Sequence, residues 1–299
     1  MAKIVLFGNG QAPIKSIVLL KNQLHQLLII VDPKDDGCDS WQKSLLKYCT
    51  NNNLSFLQPN SFKDEEFLTQ IKEFAPDIIF SIQCRHIIQR EIIDLVNGEI
   101  FNFHFADLPQ NRGCYPLLWH ILNGDKFAGL SLHKITEGID DGPIIDKVKM
   151  KITLDDTTKS LYLWCIEQTL ALMKKNINIL INKQYIEIKQ DKKKACYYSR
   201  NSVNFENSFI NWNKSRIEVS RFIQAFHFPP FQFSQTRFNN EIIPVSRVIK
   251  IKPKKRKTMP GIILSVNSNQ VEVQTGDGSI VVEIQKVLKG LKPDLMFYL

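Results

Sequence analysis

Residues 3–10 read Lys3-Ile4-Val5-Leu6-Phe7-Gly8-Asn9-Gly10, and this stretch decides the fold. An unbroken apolar run of strand length, without alternation, describes a strand covered on both faces. The Gly-Asn-Gly that follows ends it in a loop. The same signature returns in Leu27-Leu28-Ile29-Ile30-Val31, which stops at Asp32-Pro33. It returns again in Pro76-Asp77-Ile78-Ile79-Phe80-Ser81 and in Ile100-Phe101-Asn102-Phe103-His104-Phe105. Helical spacing lies between these runs, as where Phe67, Leu68, Ile71 and Phe74 share one side of residues 62–74. Leu163, Ile166, Leu170, Met173 and Ile177 recur at steps of three and four, behind the cap candidates Asp155, Asp156 and Thr157. Buried strands alternating with helices predict an α/β fold, a Rossmann-like, mostly parallel sheet with helices on both faces.

Beyond about residue 190 the pattern changes to short β-rich segments separated by turn chemistry. Pro260-Gly261 precedes Ile262 to Val266, Asn267-Ser268-Asn269 turns the chain into Val271-Glu272-Val273, and Gly276-Asp277-Gly278 turns it into Ile280 to Ile284. These spacings predict an antiparallel meander forming a small OB-like β-barrel. Two domains are therefore expected, at 1–190 and 191–299. Charge follows the same division. The net charge is +9, and residues 191–299 alone hold 18 basic against 8 acidic side chains. Part of that excess sits in Lys192-Lys193-Lys194 and in the stretch from Lys252 to Lys257, which reads as an exposed loop. A positive domain beside a neutral one can steer an anionic partner, although basic runs also serve as ordinary solvated surface.

Several classes are excluded. No apolar run is long enough to span a bilayer, and the N-terminus lacks the pattern of a cleaved leader, so a cytoplasmic protein is expected. The cysteines at 38, 49, 84, 114, 165 and 196 form no CxxC pair, so free thiols and no metal are expected. Gly8-Asn9-Gly10 begins a dinucleotide fingerprint, but Pro13 stands where its third glycine belongs. No Walker sequence is present.

The stretch from Ile100 to Phe105 carries the chemistry. Strand alternation puts Asn102 and His104 on one face and Phe101, Phe103 and Phe105 on the other. Open α/β sheets bind ligands beyond the carboxyl ends of their strands. An amide donor beside an imidazole there suits stabilisation of a developing oxyanion together with proton transfer. The same pair at a sheet edge can also do no more than bridge backbone groups. Gly138-Ile139-Asp140-Asp141-Gly142-Pro143 offers a carboxylate in a glycine-flanked turn, able to orient an imidazole, and either aspartate can face inward. His25, His120, His133 and His227 sit in apolar settings and read as structural, as do Phe226, Phe228 and Phe231.

Asn102-Phe103-His104, Leu108-Pro109-Gln110-Asn111-Arg112-Gly113, Pro116 with Trp119, Leu122-Asn123-Gly124 and Gly138-Ile139-Asp140-Asp141-Gly142 occur in an order that resembles the formyltransferases using N10-formyltetrahydrofolate. The resemblance covers residues 1–190, and the tail from Trp212 is similar to that family's C-terminal barrel. Within the family the segment Pro76 to Ile88 is most similar to enzymes that formylate nucleotide-linked amino sugars, such as the UDP-4-amino-4-deoxyarabinose formyltransferase domain. The resemblance implies that Asn102, His104 and Asp140 are catalytic. It also implies that His86, Ile87 and Ile88, with Thr136, Glu137, Gly138, Ile139 and Asp140, line the folate pocket. The co-substrate would be N10-formyltetrahydrofolate, the acceptor a nucleotide-linked amino sugar, and the setting cell-surface lipopolysaccharide biosynthesis. A homodimer is compatible with this reading. The second reading is a methionyl-tRNA formyltransferase. The basic C-terminal domain favours it, and the acidic residues Asp32, Asp35, Asp36 and Asp39 oppose it, because they would repel phosphates. The sequence departs from the family where Ala106-Asp107 replaces Ser-Leu, Asn111 replaces Tyr, Cys114 follows Gly113, and Phe226-His227-Phe228-Pro229-Pro230-Phe231 replaces a proline-glycine segment.

Overall fold

The computed structural model describes residues 1–253, 258–286 and 290–298, so residues 254–257 of the expected basic loop lie outside the described residues. The chain divides into two compact units. One comprises Met1–Cys114, Gly129–Met150 and Leu163–Tyr198; the other comprises Tyr115–Ala128, Lys151–Tyr162 and Ser199–Leu299.

The strands are β1 (Lys3–Gly8), β2 (Gln26–Val31), β3 (Phe56–Leu57), β4 (Ile78–Ile82), β5 (Ile100–His104), β6 (Arg112–Gly113), β7 (Phe127–Lys134), β8 (Ile144–Lys151), β9 (Tyr197–Tyr198), β10 (Ser234–Phe238), β11 (Glu241–Lys252), β12 (Ile263–Asn267), β13 (Gln270–Gln274) and β14 (Ser279–Ile284). The helices are α1 (Gln11–Asn22), α2 (Leu45–Asn51), α3 (Glu65–Phe74), α4 (Arg90–Leu95), α5 (Pro116–Asn123), α6 (Thr158–Ile181) and α7 (Arg216–Ala225).

A seven-stranded sheet of order β3-β2-β1-β4-β5-β7-β8 organises the first unit. The pairs β1–β2, β1–β4, β2–β3 and β4–β5 are parallel, whereas β5–β7 is antiparallel. Every residue from Ile4 to Phe7 is fully buried, so β1 is covered on both faces, as its unbroken apolar run requires. Val5 and Phe7 join Phe67 and Ile71 of α3 and Ile92 of α4 in one core cluster. Within it the Phe7 ring meets Phe62 edge-on at 5.2 Å. Each such large side chain contributes about 1.5–3 kcal/mol when fully buried. Helices α1 and α6 are joined by an ion pair between Lys15 and Glu167.

The buried stripe of α6 differs from the expected one. It runs through Cys165, Ile166, Thr169, Leu172, Met173, Asn176, Ile177 and Leu180, while Leu163 is exposed. The buried side therefore carries small and polar members that a hydrophobic count passes over. Thr157 does cap this helix: Ser160 N donates to its Oγ1 at 3.0 Å, and Thr157 N donates back to Ser160 Oγ at 2.9 Å.

The second unit is built on a five-stranded antiparallel sheet of order β10-β11-β14-β13-β12. The turn at Asn267-Ser268-Asn269 falls where expected, with Ser268 at φ +57°. Strands β10 and β11 gave no clear sequence signal, and Lys252 belongs to β11 rather than to a loop. The C-terminal tail links the two edge strands. Ile263 N donates to Leu295 O, Phe297 N to Gly261 O, and Arg237 and Tyr298 exchange a backbone pair. These bonds satisfy edge groups that would otherwise be open and turn the sheet into a small barrel. Its core holds Trp212, Val245, Ile263, Val273, Ile280 and Phe297. Phe226 is buried as expected, but Phe231 is 62% exposed. Among the described residues no helix is long and apolar enough to cross a membrane.

Candidate active site

Strand β5 ends at the carboxyl edge of the sheet. Phe101 and Phe103 are buried on one face, while Asn102 and His104 project from the other, as alternation dictates. The antiparallel register with β7 sets His133 opposite Asn102 and Ser131 opposite His104, which adds two polar side chains to that face. Ser131 Oγ donates to Ala106 O at 2.7 Å and accepts from Leu108 N at 3.1 Å, fixing the chain as it leaves the strand.

Asp140 arrives from the turn after β7. Its backbone is left-handed at φ +50°, and its side chain is 14% exposed. Oδ2 lies 3.5 Å from His104 Nδ1 and accepts from Gly113 N at 2.9 Å. Oδ1 accepts from Asn102 Nδ2 at 3.3 Å and lies 3.4 Å from His133 Nε2. Burial pushes the Asp140 carboxyl upward, but His104, His133 and the Gly113 N–H outweigh it and hold the group well below the usual carboxylate range. It is therefore a fixed negative charge. The second aspartate points elsewhere, with Thr136 Oγ1 donating to Asp141 Oδ1.

Both nitrogens of His104 face acceptors, Asp140 at Nδ1 and the Asn111 carbonyl at Nε2, 3.0 Å away. Only the doubly protonated ring donates to both. His133 Nδ1 faces the Lys134 carbonyl at 2.8 Å, and its Nε2 lies 3.2 Å from Asn102 Nδ2. A neutral His133 accepts from the amide at Nε2, and a charged one donates to Asp140. In either state the ring restricts where the amide points.

The other expected residues are placed as follows. His86 Nε2 lies 3.6 Å from Asp32 Oδ1, and its ring packs on Phe62 at 5.0 Å. Ile87 is 69% exposed, whereas Ile88 is buried in the core. Glu137 pairs with Arg90, Gly138 packs against the Asp141 carboxylate, and Ile139 is 46% exposed. Arg90, Ile93, Thr136 and Glu137 line part of a cavity of about 350 Å³. Of the residues expected to line a co-substrate pocket, Thr136 and Glu137 are the ones that border it.

The structure brings His133, which the sequence reading took as structural, against Asn102 and Asp140. The signal was present in Leu130-Ser131-Leu132-His133, the same alternation of apolar and polar residues as Phe101 to His104. The missing information was the pairing of the two strands. Among the described residues no group of three or more His, Cys, Asp or Glu is arranged to hold a metal ion.

Known proteins resemble this chain in sequence and in fold. The family model described as formyl transferase matches residues 2–177, and the formyl transferase C-terminal domain matches residues 203–292. Methionyl-tRNA formyltransferase of Clostridium novyi (strain NT) is 26% identical over 287 residues, covering 94% of this chain and 91% of that protein. WlaRD, a sugar 3N-formyl transferase crystallised with dTDP and 5-N-formyl-THF, superposes with a TM-score of 0.80 at 27% identity, covering 96% of this chain and 99% of its own. An N-formyltransferase from Helicobacter canadensis, in complex with folinic acid and dTDP-3-aminofucose, superposes with a TM-score of 0.77 at 27% identity, covering 95% and 99%. With a family model spanning more than half of its length, the chain belongs to the formyl transferase family and is a formyltransferase, a one-carbon-transferring enzyme.

Proposed function

We propose that the protein transfers the formyl group of N10-formyltetrahydrofolate to the amino group of a nucleotide-linked amino sugar, in the assembly of a cell-surface polysaccharide. The observation that carries the reading is the convergence of Asn102, His104 and Asp140 at the end of β5. The near end-to-end likeness to sugar N-formyltransferases holding folates and dTDP ligands supports it. Residues 1–190 would supply the chemistry and residues 191–299 an accessory barrel.

The acceptor's neutral amine attacks the formyl carbon of the donor. The tetrahedral adduct collapses by breaking the bond from that carbon to N10, so that tetrahydrofolate leaves with N10 taking up the proton that the amine loses. Asn102 Nδ2 presents N–H groups to negative charge developing on the carbonyl oxygen, giving up a long bond to Asp140 or His133 as it does so. His104 lies between two acceptors, and its protonated form brings positive charge to the same place. Asp140 is too weak a base to retain a proton, so it orients His104 and Asn102 and at most relays the proton that the amine loses. Ile87 and Ile139 leave apolar area in water, and Thr136, Glu137 and Gly138 are exposed beside Asp140.

The tRNA reading draws support from the basic excess after residue 190 and from the curated relatives. Against it stands the acidic segment after β2. Asp35 accepts from Ser44 Oγ, Leu45 N and Leu46 N, so that it anchors the start of α2 and cannot readily turn away from an approaching phosphate.

Incubation of the enzyme and N10-formyltetrahydrofolate with a panel of amino-sugar nucleotides and Met-tRNA, read by mass spectrometry, separates the two. A formyl adduct on a sugar nucleotide is expected. An adduct on Met-tRNA alone would refute the substrate assignment. Salt gives a second discriminator, because tRNA binding weakens steeply with ionic strength and binding of a sugar diphosphate nucleotide only shallowly.

A further inference from the structure

Gln190 lies outside every motif considered above, yet its side-chain amide is fully engaged beside the candidate site. Nε2 donates to Asp140 O at 2.8 Å and to Gly142 O at 2.7 Å. Oε1 accepts from Arg112 Nε at 3.1 Å and from an Arg112 terminal nitrogen at 2.7 Å. Two donors and both acceptor positions are used, which is the full capacity of an amide.

We propose that Gln190 is a positioning residue for Asp140, an inference that rests on the catalytic reading of Asp140. The Asp140 backbone occupies the left-handed region, which a non-glycine residue keeps only when its surroundings hold it there. Gln190 grips the carbonyl of that residue. Through Arg112 it also grips the segment whose next residue, Gly113, donates to the Asp140 carboxylate. One side chain thus ties together the two segments that set where the carboxylate points. The segment that carries Gln190 is anchored in turn. Arg112 N donates to Cys196 O at 2.9 Å, Cys114 N donates to Tyr198 O at 2.8 Å, and β6 pairs with β9. No ionised side chain replaces the amide, because the site needs an acceptor toward a guanidinium and donors toward two carbonyls.

The test uses the enzyme with Gln190→Met, which keeps the volume and removes every hydrogen bond, and Gln190→Glu, which keeps an acceptor for Arg112 and loses the donors. Both variants are expected to lower kcat by about 10- to 100-fold with the thermal midpoint of Gln190→Glu close to wild type. In an Asp140→Asn background, Gln190→Met is expected to change the remaining kcat by less than about threefold, since the two act through one carboxylate. Near-wild-type kcat in Gln190→Glu would overturn the proposal by reducing the amide to an Arg112 tether. Equal losses in the wild-type and Asp140→Asn backgrounds would also overturn it, as would failure of both variants to melt cooperatively. High activity in Asp140→Asn itself removes the catalytic reading and this inference with it. An inactive Asp140→Asn beside fully active Gln190 variants rejects the inference alone.

Discussion

Asn102 and His133 stand opposite one another on the antiparallel strands β5 and β7, and their side chains meet with Nδ2 3.2 Å from Nε2. The amide proposed to stabilise the oxyanion is therefore oriented by a ring that is itself fixed on the Lys134 carbonyl. Replacing Asn102 with Ala is expected to lower kcat by about 100- to 1,000-fold, the usual cost of one oxyanion donor. Replacing His133 with Ala frees the amide without removing it, and a loss of about tenfold is expected. Steady-state kinetics on both variants decide the ranking, and an equal loss in the two would give the His133 ring a direct part in the chemistry.

His104 Nδ1 lies 3.5 Å from Asp140 Oδ2, which places the imidazole at the carboxylate of the candidate site. His104→Ala is expected to lower kcat by at least about 1,000-fold while circular dichroism stays that of the folded protein. Turnover within a few fold of wild type would contradict the mechanism.

Asp140 also marks the acid limb of stability. Its carboxyl is held below its ordinary value, so the folded protein binds fewer protons than the unfolded chain in the window beneath about pH 3.9. That contribution is complete above the unfolded value and is lost as pH falls toward the folded one. Urea titrations between pH 2 and 6 should show a shallower pH dependence for Asp140→Asn than for wild type. Parallel curves would mean that the carboxylate is not held as described.

His227 in the second unit behaves in the same sense at higher pH. Burial pushes its imidazole down, more than the Ser246 carbonyl facing Nδ1 raises it. A neutral ring is thus preferred in the fold, and its stabilising share is present above the unfolded value of about 6.5 and lost as pH falls toward the folded value. His227→Gln should flatten the change in thermal midpoint between about pH 7 and 5 relative to wild type. An unchanged slope would remove His227 from the account.

Gly142 closes the turn that carries Asp140, and a Cβ built there would lie 2.0 Å from the Lys134 carbonyl oxygen. Backbone, not a flexible side chain, blocks the way. Gly142→Ala is expected to cost about 1–3 kcal/mol in a denaturant titration and to lower kcat by displacing Asp140. A neutral effect on both would show that the turn tolerates repacking.

Much of the first unit was legible because its strands are apolar without interruption. Ile4 to Phe7 and Leu27 to Val31 can only be buried on both faces, and that burial requires helices above and below. The turns of the meander were legible because Asn267-Ser268-Asn269 and Gly276-Asp277-Gly278 carry the chemistry that sharp reversals need. Less of α6 was legible. Thr169 and Asn176 satisfy their own polar groups on backbone carbonyls one turn back and so occupy the core face that Leu163 was expected to share. Strands β10 and β11 carry mixed polar and apolar residues, and their partners are other strands rather than anything local in sequence.

The sequence by itself determined the α/β class, the β-rich tail, the face shared by Asn102 and His104, and a carboxylate in the turn after residue 138, because strand alternation and turn chemistry are local properties of the chain. Only the tertiary structure decided that Asp140 and not Asp141 turns inward, that His133 comes to lie against Asn102, and that Gln190 fastens the turn from fifty residues away. Those outcomes depend on antiparallel register and on hydrogen bonds between distant segments, which no local pattern of residues encodes.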